Sequence, residues 1–416
     1  MKKSIVGLYI MTLCNLTLFA QTEEKLTQPT YDFQVLHTFC SSGGSKCTDG
    51  AGPVAGLIED AAGNLYGTTQ GGGNVYGGGT VFKLDVTGKE TVLHRFCGTS
   101  ECKDGKFPSA GLIEDSAGNL YGTTQSGGAD PGGGTVFKVD VAGREHALLS
   151  FCSSCADGWG PNAGLIQDAD GNLYGTALSG GTHGGGTVFK LDKTNHSVAL
   201  YNFCSASNCV DGSGPYAGLI ADAAGNLYGT TVHGGANGGG VVFRLTPSGM
   251  EKVLYSFCLA PNCTDGQGPA AALIRDAAGY LYGTTASGGA NGSGAVFRVT
   301  TAGREKVLYS FCSAPNCTDG SYPQAGLVRD SAGNLYGTTA VNGANGGGTV
   351  FKLSRNLHYD VLYNFCSAAN CADGSHPFAG VSLDAAGNLF GTTNQGGKYG
   401  YGTLFKLGLI SGSNPH

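Results

Sequence analysis

The stretch CTDGSYPQAGLVRDSAGNLYGTT runs from Cys317 to Thr339, and near-copies of it recur six more times along the chain. Aligned on the dipeptide Phe-Cys, the copies place Cys40, Cys97, Cys152, Cys204, Cys258, Cys312 and Cys366 at intervals of 57, 55, 52, 54, 54 and 54 residues. Self-similarity at a fixed period is the mark of a repeat architecture, in which each unit buries its apolar face against its neighbours. Within one unit four short apolar runs stand between turn residues: VLYSF at 307–311, AGLVRD at 325–330, NLYGTT at 334–339 and GTVFKL at 348–353. Runs of five or six residues rich in Val, Phe, Tyr and Thr, bounded by Gly and Asp, read as strands. No window keeps a helical spacing.

The turn between the second and third of these runs is legible by itself. In DSAGN, Asp330 is placed to accept backbone N–H groups and Gly333 to adopt the left-handed conformation, closing a tight hairpin. Asp60, Asp115, Asp168, Asp222, Asp276 and Asp384 stand at the same place in the other units. Seven acids at matched positions invite a metal reading, but the turn role accounts for all of them.

Seven units of four short antiparallel strands specify an all-β, seven-bladed β-propeller. Resemblance to other propellers makes AGLI the innermost strand of each blade, followed outward by NLYGTT, GTVFKL and VLYSF. The chain then opens on an orphan outer strand at 34–39 and ends on three inner strands finishing at 403–407. The N-terminal strand is expected to complete the last blade and close the ring. The expected boundaries are a signal peptide at 1–20, an extension at 21–33, the propeller at 34–407 and a tail at 408–416.

The ends also set the compartment. Lys2 and Lys3 precede an apolar run from Ile5 to Ala20, after which the sequence turns polar, as a cleaved secretory signal does. Cys14 raises a lipoprotein signal as the alternative, although Leu13 rather than a small residue precedes it. Without the two signal lysines the chain has 22 basic against 30 acidic residues, a net charge of −8, and an acidic surface argues against nucleic acid as partner. No membrane insertion after signal cleavage and a monomeric state are expected.

The pattern GTVFKL…VLYSFC…DG…P.AGLI.D.AGNLYGTT resembles the bacterial GloVer repeat family, the choice-of-anchor secreted proteins, over nearly the whole mature chain. That resemblance implies export to the medium, periplasm or cell surface and names no activity.

Each unit carries one cysteine pair: Cys40 with Cys47, Cys97 with Cys102, Cys152 with Cys155, Cys204 with Cys209, Cys258 with Cys263, Cys312 with Cys317, and Cys366 with Cys371. In an oxidising compartment these read as local disulfides. Closing a loop of about six residues stabilises by roughly 2 kcal/mol in the chain-entropy account. Zinc is the rival reading, but one pair offers two ligands and the nine histidines follow no repeat.

After each second cysteine comes an Asp-Gly pair and then a Pro four residues past the Asp. Asp49, Asp104, Asp157, Asp211, Asp265, Asp319 and Asp373 therefore ring one face, together with Gly-rich segments such as 71–80, 127–135 and 342–349. A rigid turn explains them; a ligand site, with calcium as a conceivable cofactor, is the sharper reading. Catalysis needs residues that break the symmetry, and no nucleophile–base set can be recognised, so no catalytic residue and no other cofactor is assigned. Trp159 is the expected aromatic anchor, with Lys106, Phe107, Tyr216, Tyr322, His376 and Phe378 as further departures from the repeat. The reading is an exported binding scaffold for glycans or a protein. A propeller enzyme is the second reading, carbohydrate-active in preference to quinone-dependent because the chain holds one Trp, and a structural envelope protein the third.

Overall fold

A computed structural model describes residues 30–41, 46–130, 132–152 and 156–410. Over these residues 28 strands form seven four-stranded antiparallel sheets, the blades of a β-propeller. Blade 1 runs outward through Ile58–Glu59, Leu65–Thr69, Thr80–Leu84 and Glu90–Arg95. The innermost strands of blades 2 to 6 begin at Ile113, Ile166, Ile220, Ile274 and Val328. Blade 7 takes Ser382–Leu383, Leu389–Thr393 and Thr403–Ile410 from the C-terminal end and Thr30–Thr38 from the N-terminal end as its outer strand. The expected signal peptide lies outside the described residues.

Ring closure is as the repeat phase demands, but longer. Val35 faces Phe405 and Thr38 faces Thr403, as expected; beyond them Phe33 pairs with Leu407, Asp32 with Gly408, Tyr31 with Leu409 and Thr30 with Ile410. The residues assigned from sequence to an extension and a tail thus contribute rungs to the closing ladder. The inner strands, in contrast, are shorter than the AGLVRD run: Val328–Arg329 is the whole of blade 6's. Its preceding Ala-Gly segment has turned to the neighbouring blade. The Ala325 carbonyl accepts the hydroxyl of Thr284 at 3.0 Å, and Ala379 accepts that of Thr338 at 2.9 Å. Thr68, Thr123, Thr176, Thr230 and Thr392 make the same bond to Ala110, Ala163, Ala217, Ala271 and Ala55. Seven Thr–Ala bonds encircle the axis, which explains the first Thr of every GT pair.

Between blades the core is aromatic. The Phe before each first cysteine packs edge-on against the Phe of the next blade's third strand: Phe39 on Phe82 at 5.2 Å, Phe96 on Phe137 at 4.9 Å, Phe365 on Phe405 at 5.1 Å. These rings are buried completely, and each contributes about 2 kcal/mol by burial before the pairing term. The Gly of each LYGTT run makes room for them, since a Cβ on Gly67 would lie 2.8 Å from the ring of Phe82.

The Asp hairpins are as read from sequence. Asp330 accepts the N–H of Asn334 at 2.8 Å and Gly333 has φ +91°. The Asp60 carboxylate takes the N–H groups of Ala62 and Asn64, the Asn64 amide and the Tyr66 hydroxyl. Burial pushes its pKa up, but these bonds outweigh burial and hold it below the usual carboxylate value.

Candidate functional site

Loops leaving a blade's outer strand for the next inner strand share one face with the loops between second and third strands. Backbone bonds weld the two sets together. The Cys317 carbonyl accepts both Gly320 N–H at 2.9 Å and Gly343 N–H at 3.1 Å, and Cys102, Cys209, Cys263 and Cys371 do the same in their units. Each cysteine loop is also closed covalently. Disulfides join Cys40–Cys47, Cys97–Cys102, Cys204–Cys209, Cys258–Cys263, Cys312–Cys317 and Cys366–Cys371. Cys152 is disulfide-bonded too, and its expected partner Cys155 lies outside the described residues.

The Asp of each Asp-Gly pair anchors this frame from inside. Asp319 accepts the Tyr309 hydroxyl at 2.7 Å, Ser313 N–H at 2.9 Å and Ala314 N–H at 3.2 Å. Asp211, Asp265 and Asp373 are held alike, while Asp49 takes the N–H and hydroxyl of Ser41, and Asp104 the N–H of Cys97. Asp49, Asp211, Asp265, Asp319 and Asp373 are buried. Asp157 is half-buried, its carbonyl taking the Thr187 hydroxyl. The carboxylates of Asp49, Asp104, Asp211, Asp265, Asp319 and Asp373 thus face donors of their own loop or of the strand before it. The glycine that follows is required by space and conformation: Gly50 has φ +100°, and a Cβ there would strike the side chain of Thr69.

Symmetry breaks two residues further on. That position is left-handed in every blade: Gly52, Gly160, Gly214 and Gly268 in four, but Phe107 (φ 62°), Tyr322 (φ 63°) and His376 (φ 56°) in three. It is a clamp between blades. Phe107 N–H donates to the Gly78 carbonyl of the preceding blade at 2.8 Å, and its own carbonyl accepts Gln125 N–H of the next at 3.1 Å. A left-handed backbone costs a residue with a side chain on the order of 1–2 kcal/mol, so three bulky residues are kept where glycine is the default.

Three cavities open on this face, one of them, about 390 Å³, at the second cysteine loop beside Glu101, Lys103 and Lys106. The central one, about 380 Å³, is walled by the Ala-Gly pairs of six blades and by Ala271-Ala272 of blade 5. Its rim differs in each: Val54, Ser109, Asn162, Tyr216, Ala270, Gln324 and Phe378. The second, about 510 Å³, lies over blades 7, 1 and 2 and joins the first through Gln70 and Gln125. Phe107, Asn394, Gln395 and Tyr401 complete its functional lining, and no charged side chain lines it. Gln70 Nε2 donates to the Ser109 hydroxyl at 3.3 Å, which in turn donates to the Phe107 carbonyl at 3.2 Å, so amide and ring are placed together.

Of the residues singled out from sequence, Phe107, Tyr216 and Phe378 line these cavities. Lys106 lies over the Phe107 ring at 4.9 Å, and Tyr322 is exposed. Trp159 pairs with Ser179 on the same face and is partly exposed, but lines none of these cavities. The amides were missed. Their signal is the residue after GTT, which reads Gln70, Gln125, Leu178, Val232, Ala286, Ala340 and Asn394 around the ring, variable directly after an otherwise repeated run.

Among solved structures the chain is similar to PorZ, a bacterial surface component of the type-IX secretion system of Porphyromonas gingivalis, at 14% identity and TM-score 0.53. The match covers 86% of this chain and 46% of PorZ, and shows a shared fold. It is also similar to a putative 6-phosphogluconolactonase from Bacteroides uniformis, at 15% identity over 81% of this chain and 88% of that one, TM-score 0.45. A putative gluconolactonase matches at 15% identity over 74% and 88% of the two chains, TM-score 0.40. No curated protein matches the sequence. The Gloeobacter/Verrucomicrobia repeat, in contrast, matches at residues 17–219, 78–275 and 259–414, and the chain belongs to that repeat family.

Proposed function

We propose that the protein is an exported binding scaffold that takes neutral glycan segments on its loop face, in the trough over blades 7, 1 and 2. The observation that carries this reading is the lining of the second cavity: four side-chain amides, Gln70, Gln125, Asn394 and Gln395, beside the rings of Phe107 and Tyr401, with no charge. An amide offers both a donor and an acceptor to neighbouring sugar hydroxyls, and an aromatic ring covers the C–H face of a pyranose. The frame is ordered before a ligand arrives, because disulfides and the Cys-carbonyl bonds fix the loops, which lowers the entropy cost of binding. Export is supported by the six described disulfides, which persist in oxidising compartments.

The test is a glycan array probed with the mature protein, with and without calcium, followed by titration of hits against Gln125→Ala and Phe107→Ala. Neutral oligosaccharide hits weakened at least tenfold by either substitution support the proposal. Hits insensitive to both, or an array without hits, overturn it.

A further inference from the structure

The opposite face, formed by the Asp hairpins and the turns between third and outer strands, is unevenly charged. The residue before the hairpin Asp is Glu59 in blade 1 and Glu114 in blade 2, but Arg275 in blade 5 and Arg329 in blade 6. The first residue of the outer turn is Asp85, Asp140 and Asp192 in blades 1 to 3, but Thr300 and Ser354 in blades 5 and 6. In one sector of this face arginine stands where glutamate precedes the hairpin Asp elsewhere, and the outer turn has lost its acid.

A cavity of about 430 Å³ lies in that sector, between blades 5 and 6, and Arg298, Arg329 and Arg355 all line it. Arg329 and Arg355 flank Gly333: a Cβ there would lie 2.9 Å from Nη2 of the first and 3.5 Å from Cδ of the second. None of the three has a carboxylate within ion-pairing distance among the described residues. Asp276, the one acid in the wall, spends its oxygens on Ala278 N–H, Tyr280 N–H and the Tyr282 hydroxyl.

The wall also holds the one residue that replaces the hairpin Asn. Six blades carry Asn at this place (Asn64, Asn119, Asn172, Asn226, Asn334 and Asn388), where its amide clamps the turn Asp. Blade 5 carries Tyr280 and gives up that clamp. Its ring instead lies with its centroid 4.3 Å from the Arg298 guanidinium carbon, a cation–π contact. Three unpaired guanidinium groups, a ring, and the apolar side chains of Leu335 and Leu357 meet in a space of monosaccharide size.

We infer that this cavity is a carboxylate site for an acidic saccharide, in which Arg329 and Arg355 take the carboxylate and the Tyr280–Arg298 pair takes the sugar body. Guanidinium groups match a planar carboxylate with paired N–H bonds. The site lies on the face away from the amide trough and does not depend on that trough binding anything.

The experiment is titration calorimetry of the full mature protein with trigalacturonate, with a neutral galactose trisaccharide, and with inorganic sulfate. Trigalacturonate should bind, more weakly as salt rises, with the neutral trisaccharide silent and sulfate at least tenfold weaker. Arg329→Gln/Arg355→Gln should lower that affinity at least tenfold at unchanged melting temperature, and Tyr280→Asn should lower it while keeping the fold. Arg304→Gln, on the same face outside the cavity, should leave it unchanged. No trigalacturonate binding, equal binding of the neutral trisaccharide, equal binding of sulfate, or indifference to the double substitution would each overturn the inference.

Discussion

Thr392 donates its hydroxyl to the carbonyl of Ala55 at 3.3 Å, across 337 positions of sequence, and so makes the seventh bond of a ring whose other six join consecutive units. The same bond repeats the contact of Thr338 with Ala379, so blade 7 meets blade 1 as any blade meets the next.

If closure is this regular, loss of the outer strand of blade 7 should be felt everywhere. Removing the chain through Thr38 exposes the Thr403–Ile410 edge and uncovers the Phe365–Phe405 and Tyr363 contacts of Phe33. A single, cooperative and lower thermal transition is expected by calorimetry. A truncated chain that melts like the parent would refute the closure.

The loop-anchoring carboxylates should prove structural. Asp319→Ala leaves the Tyr309 hydroxyl and two backbone N–H groups without their acceptor, and a cost of about 2–3 kcal/mol is expected from chemical denaturation. A loss below about 0.5 kcal/mol would show that water replaces the carboxylate freely.

Glutamates between blades should make stability depend on pH. Burial pushes Glu145, Glu251 and Glu305 up to about 7, from 4.5 when unfolded, and one oxygen of each is buried without a side-chain or backbone partner. The folded state then holds more protons than the unfolded state between these values. Stability is therefore fully present below about pH 4.5, falls as pH rises from about 4.5 to 7, and levels off above that. The hairpin carboxylates Asp60, Asp115, Asp168, Asp222 and Asp330, held below the usual carboxylate value by their hydrogen bonds, act below this window. Melting temperatures from pH 4.5 to 8 should show the decline, and Glu251→Gln/Glu305→Gln should flatten it.

Blade 6 shows how such a position can be filled without charge. There Tyr359 stacks on Tyr309 at 4.0 Å and donates to the Asp319 carbonyl. Glu305→Tyr would build the same stack on Tyr255, and a gain of about 1 kcal/mol is expected at pH 8. A loss of stability would mean that the two blade interfaces differ in spacing.

Phe107 separates function from stability. Phe107→Gly restores the residue that four other blades use at this left-handed position, so stability should stay within about 1 kcal/mol of the parent. Glycan affinity in the trough should fall at least tenfold. Equal loss of both would mark Phe107 as packing alone.

The fold was legible because repetition averages out local ambiguity: seven copies of Asp, Gly and the GTT run fix hairpins, blade order and ring phase together. Strand ends were less so. The inner ladder is short because Ala325 and its counterparts turn their carbonyls to the neighbouring blade, a long-range bond that no local pattern announces. The trough was legible only in part. Phe107 stood out as a bulky departure, whereas Gln70 and Asn394 look like ordinary polar turn residues until the ring brings the ends of blades 7, 1 and 2 together. Trp159 drew notice by its rarity, and rarity carries no information on which cavity a side chain reaches.

The closing ladder sets Thr30 opposite Ile410, at the same end of one antiparallel pair. Force applied between those two residues would therefore load the rungs one after another, from Thr30–Ile410 inward, rather than all at once in shear. A ring that resists heat as a unit should part under a small mechanical pull at this seam, while a pull between two hairpins elsewhere on the rim would meet the whole sheet.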